Sequence, residues 1–83
     1  MNKTIEVSVN DIARFGAATA VVHALLANNS TMPVEEMRLE LAMDYGIYGK
    51  VLDMALRKLE TAQYIAYENE SGCEWVSALV GIE

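Results

Sequence analysis

The side chains that most often do chemistry are scarce in this 83-residue chain, which holds one histidine, His23, and one cysteine, Cys73. One of each cannot build a zinc site without a partner chain. His23 falls inside an apolar run, where a half-buried structural residue is expected rather than a pH-sensitive contact. Cys73 has no basic neighbour to activate it as a nucleophile; small-residue packing in a strand is expected there, and no intramolecular disulfide can form. Glu35, Glu36 and Glu40 fit a solvated helix face better than a metal site. The sequence contains no paired carboxylates, nucleophile–base set or glycine-rich phosphate loop. The expectation is a non-enzyme with no cofactor and no metal.

What remains is the chemistry of binding. In "LAMDYGIYGKVLDMALRKLETAQYI", Leu41 to Ile65, the residues Leu52, Ala55, Leu56 and Leu59 recur at i, i+3, i+4 and i+7. This is the clearest helical period in the chain. The intervening positions Lys50, Val51, Asp53, Met54 and Arg57 then point outward, with Tyr48 at the helix start. Tyr, Met and Arg are typical of protein-interface centres. Met43 and Tyr45, just before the turn, extend the patch unless they fold inward to enlarge the core.

The elements that would position this face can be read along the chain. Ile5, Val7 and Val9 alternate with polar residues, which suggests a short strand or an extended arm over residues 1–9. Ser8 or Asn10 can cap a first helix, and Asp11 suits its positive end. Ile12, Phe15, Val22, Leu25 and Leu26 make one stripe of that helix, over residues 10–28. Gly16 within it costs about 1 kcal/mol relative to Ala, which close packing or a local kink would explain. Pro33 suits the first turn of a second helix, residues 33–44, with Glu35 and Glu36 at its positive end. Val34, Met37 and Leu41 line one face of it, and Gly46 closes it. The third helix covers residues 48–63. Two β-rich runs around Asn69-Glu70-Ser71-Gly72 then predict a hairpin over residues 64–79. The fold class expected is α+β, in a single domain over residues 1–83.

That order resembles the winged helix-turn-helix superfamily, in particular its small phage-type and bacterial regulatory members. Leu41-Ala42 begins the match. Gly46-Ile47 supplies the turn, Leu52, Ala55, Leu56 and Leu59-Glu60 the third helix, and Tyr64-Ile65 the opening of the wing. The first-helix run "RFGAATAVVHALL" is similar to openings of phage replication and regulatory proteins of this kind. The resemblance implies three helices followed by a two-stranded wing. In DNA-binding members it also implies a third helix in the major groove. By position the groove-facing set would be Tyr48, Gly49, Lys50, Val51, Asp53, Met54 and Arg57.

Charge argues against carrying the DNA role over. The chain has 12 acids against 6 bases, a net charge of −6. The Ser-Arg-Ser-Thr-like helix start usual in the family is replaced by Tyr48-Gly49-Lys50-Val51, and Asp53 would repel phosphate from its place between Lys50 and Arg57. The wing carries Glu68, Glu70 and Glu74 and no base. The reading is therefore a non-catalytic protein-binding module, an adaptor or an inhibitor of a nucleic-acid-binding machine. Its partner-binding residues would be Tyr48, Lys50, Val51, Asp53, Met54, Arg57, Glu68 and Glu70. The alternative is a DNA-binding transcription or replication regulator using Tyr48, Lys50, Arg57 and Lys58. An acidic surface excludes anionic membranes as partners. No apolar run approaches the ~20 residues that span a bilayer, and no secretory signal is visible, so a cytoplasmic protein is expected. The apolar tail Val80-Gly81-Ile82 would cover the domain's own core or a twin subunit, which leaves a homodimer open.

Overall fold

A computed structural model describes residues 5–82. Seven elements follow one another: α1 (Val9–Phe15), α2 (Ala17–Asn29), β1 (Thr31–Pro33), α3 (Val34–Tyr45), α4 (Gly49–Thr61), β2 (Ile65–Glu70) and β3 (Cys73–Ala78). The class is α+β as expected, but with four helices and three strands instead of three helices and two strands.

The first departure lies at Gly16. In place of the single helix expected across it, the backbone sits at φ +96° and ψ 163°, a region open in practice only to glycine. Gly16 ends α1, donating its N–H to the Ile12 carbonyl at 2.9 Å, and starts α2, accepting from the Ala20 N–H at 3.0 Å. A Cβ placed there would meet no atom within 4 Å. Close packing is therefore not the reason for the glycine; the break is. Upstream, the expected strand does not form over residues 5–8, and residues 1–4 lie outside the described range. Ser8 caps α1 by accepting from the Asp11 N–H at 3.2 Å, which takes Val9 into the helix. Ile5 instead packs against the core.

The second departure is β1. Its three residues pair antiparallel with β3, Thr31 opposite Ser77, Met32 opposite Val76 and Pro33 opposite Trp75. Pro33 thus ends an edge strand and precedes α3 rather than opening it; an edge strand is where a sheet tolerates proline. The sheet order is β1-β3-β2. The β2–β3 turn is tighter than expected: Glu70 pairs with Cys73, leaving only Ser71 and Gly72 in the loop. Both have positive φ, 54° and 77°, as a two-residue turn matched to the strand twist requires.

Gly46 ends α3 in the left-handed region, φ 67°, and the Ile47 N–H donates back to the Leu41 carbonyl at 2.9 Å. The core lies between the helices and one sheet face. Val22, Leu25 and Leu26 of α2, Met37 and Leu41 of α3, Leu52 and Leu59 of α4 and Val76 of β3 are essentially fully buried. Each contributes about 1.5–3 kcal/mol. None of the described helices is long and apolar enough to cross a membrane.

Candidate partner-binding surface

Core packing sets the outward face of α4. With Leu52, Ala55, Leu56 and Leu59 turned inward, the helical period leaves Lys50, Val51, Asp53, Met54, Arg57 and Lys58 outside, and all six are exposed. Tyr48 precedes the helix and is 67 % exposed; Val51 is 55 % and Met54 51 % exposed. Two α3 residues join them, Leu39 at 60 % and Met43 at 75 %. Leu39 and Ala42 face Tyr48 across a shallow groove of about 410 Å³. Five of the eight exposed large hydrophobics among the described residues therefore lie on α3, the α3–α4 turn and α4. Tyr45 departs from the expected patch: it is half-buried and packs against the core.

The charged residues divide across α4. Asp53 and Glu60, two turns apart, occupy the edge facing the hairpin. There they help hold the Tyr67 phenol above its usual range; burial is the largest cause, then Glu60, with Glu74 and Asp53 adding and Arg38 opposing. Asp53 does not act as the repulsive charge between Lys50 and Arg57 that its spacing suggests. It pairs instead with Arg38 of α3, Nη1 to Oδ1 at 3.2 Å. With both side chains about half exposed, the pair stabilises by no more than ~1 kcal/mol, but it sets the Asp53 charge against a cation.

Toward α1, Met54, Arg57, Lys58 and Thr61 line an open groove of about 600 Å³ with Arg14 and Phe15, Arg57 being the member nearest Asp53 and Glu60, four and three residues away. Arg14 donates to the Tyr64 hydroxyl at 2.9 Å, and its guanidinium lies 5.1 Å from the Phe15 ring centre and 5.5 Å from that of Tyr64. Lys58 Nζ donates to the Phe15 carbonyl at 3.4 Å. Of the predicted site residues, Tyr48, Lys50, Val51, Met54 and Arg57 thus share one surface.

Glu68 and Glu70 do not join it. Ile65 and Tyr67 face the core, so strand alternation puts Glu68 and Glu70 on the other side of the sheet. Glu74, opposite Asn69, falls on the α4 side. The wing carboxylates therefore split between two faces, so Glu68 and Glu70 do not belong with the α4 residues in one site.

Two single residues also differ from expectation. Cys73 is exposed rather than packed. His23 is 1 % exposed, not half-buried, and both its ring nitrogens face oxygens. Nδ1 lies 2.5 Å from Asp11 Oδ2 and Nε2 lies 2.9 Å from the Val80 carbonyl. A carbonyl oxygen can only accept, so Nε2 carries a hydrogen. Asp11 stands in the first turn of α1 as expected, but its carboxylate is buried against His23 rather than left in solvent. One imidazole thereby ties α1, α2 and the segment after β3 together. The legible trace of it is the Ser8–Asp11 spacing, which fixes the turn that aims Asp11 inward. Arg14 comes to lie beside Arg57 and Lys58 although nothing local in the sequence relates it to α4. No family model, characterised protein or solved structure matches the chain.

Proposed function

We propose that the chain is a non-catalytic winged-helix module that docks a protein through the outward face of α4 and the α3–α4 turn. In this reading it serves as an adaptor, or as an inhibitor of a nucleic-acid-binding machine, in a cytoplasmic setting. Support for the winged-helix assignment comes from the element order, with a hairpin directly after α4, and from the strand order β1-β3-β2. The observation that carries the protein-binding reading is the apolar strip of Leu39, Met43, Tyr48, Val51 and Met54, each at least half exposed. It occupies the surface where a nucleic-acid reader would need cations and hydrogen-bonding side chains. Burying such a strip against a partner supplies affinity that phosphate contacts cannot.

The DNA-binding alternative is favoured by one observation: Arg57 and Lys58 gather on one side of α4 beside Arg14, with Asp53 held by Arg38. With about four cations in reach, counting Lys50, the logarithmic salt slope would be no steeper than about −4.

Fluorescence anisotropy with duplex DNA across a salt series separates the two readings. No binding below ~10 µM at about 150 mM salt is expected. Sub-micromolar binding that is lost in Lys50→Ala or Arg57→Ala would end the protein-binding reading. In parallel, partners captured from extracts of the source cells should be lost by Tyr48→Ala/Val51→Ala, while its melting temperature stays within a few degrees of the parent, as exposed positions allow.

A further inference from the structure

Resting on the protein-binding reading, we propose that the α1–α4 groove binds a short acidic peptide segment, with one apolar side chain of the peptide on the groove floor and its carboxylates on Arg14, Arg57 and Lys58.

Charge complementarity makes the case. The chain has 12 acids and only 6 bases, yet three of the six line this one groove and no carboxylate does. Among the described residues, no Asp or Glu lies within salt-bridge distance of the three; the ion pairs present are His23–Asp11 and Arg38–Asp53. Gathering like charges without counter-charge is unfavourable, and a ligand carrying carboxylates relieves it. Two of the cations are also oriented. Tyr64 holds Arg14 by its hydroxyl, and the Phe15 carbonyl holds Lys58, so less side-chain freedom is lost on binding.

The floor selects a peptide over a polyanion. Phe15, Met54 and Ala62 give the groove an apolar base, which a phosphodiester backbone has no means to use. Methionine there adapts to side chains of varied shape. Across α4, the edge bearing Asp53 and Glu60 would repel a long anion continuing over the helix. The cationic area is thus bounded, and a segment of a few residues fits within it.

Panning a random peptide library on the intact protein tests this directly, because the selection itself reports the chemistry the groove takes. Enriched peptides should carry at least two carboxylates around a Leu, Met or aromatic residue. Chemical shifts on adding them should move Arg14, Phe15, Met54 and Arg57 before any wing residue. Arg14→Glu/Arg57→Glu should weaken binding at least ~10-fold, and Lys50→Glu, outside the groove, by less than ~3-fold. Neutral or basic peptides, or peptides mapping to Leu39, Tyr48 and Val51, would overturn the groove assignment and leave the protein-binding reading standing. An oligonucleotide of equal charge that displaces the peptides and binds more tightly would overturn both.

Discussion

Replacing His23 with alanine would remove the only side chain that links α1, α2 and the segment after β3 by hydrogen bonds among the described residues. The imidazole is 1 % exposed and Asp11 is 5 % exposed, so truncation leaves a buried carboxylate without its partner and strips the donor from the Val80 carbonyl. Removing one member of a buried, hydrogen-bonded ionisable pair costs about 3–5 kcal/mol. A domain of this length has only roughly 4–12 kcal/mol of net stability. With an unfolding entropy of about 2.1 cal/mol/K per residue, that loss lowers the melting temperature by ~15–30 °C, followed by circular dichroism at 222 nm. Asp11→Ala should cost a similar amount. The double variant Asp11→Ala/His23→Ala should lose less than the two singles combined, by at least ~2 kcal/mol, because neither member of the pair is left buried without the other, although the Val80 carbonyl still lacks its donor. A His23→Ala protein melting within ~5 °C of the parent, or strict additivity in the cycle, would show that the buried pair does not hold these elements together.

Two further predictions concern the backbone break and the hairpin. Gly16→Ala should destabilise by about 1–3 kcal/mol although the added Cβ would meet no atom within 4 Å, since only the hand of φ opposes an L residue there; a Gly16→Ala protein that melts with the parent would refute the conformational account. The Tyr67 phenol is held above its ordinary 10.0, chiefly by burial, so the folded state keeps that proton more tightly than the unfolded chain. Stability from this source is complete below about pH 10 and falls as pH rises through the elevated value; the melting temperature should therefore drop more steeply above pH 10 in the parent than in Tyr67→Phe, and parallel curves would sink the assignment.

What can be read in advance follows from how local each signal is. Four buried positions of α4 and the stop at Gly46 are set by neighbours three to five residues away, and both stand out in the sequence. The hairpin does too, because two β-rich runs around the polar Asn69-Glu70-Ser71-Gly72 stretch are a short-range pattern, though the two-residue length of the loop is not. The break at Gly16 is hidden because α2 is apolar on almost every side, with seven of its residues buried, so no stripe marks where one helix ends. β1 has only three residues and exists because β3 supplies its partner; such a run has no period of its own. The convergence of Arg14 with Arg57 and Lys58, and of Asp11 with His23 and Val80, depends on the turn between α1 and α2. These contacts bring together residues 12 to 57 positions apart, and spacing along the chain does not encode them.

The seven residues of α1 are too few to remain helical unaided, yet they supply one wall of the groove. Opening α1 would therefore abolish that wall. An occupant seated against Arg14 and Phe15 would be thermodynamically linked to the closed state, raising the protection of α1 amides against exchange with solvent deuterium by a factor of one plus the ratio of its free concentration to its Kd for that state. The His23–Asp11 contact, though it would touch no ligand, would thereby bear on how much of such an occupant's intrinsic affinity is realised.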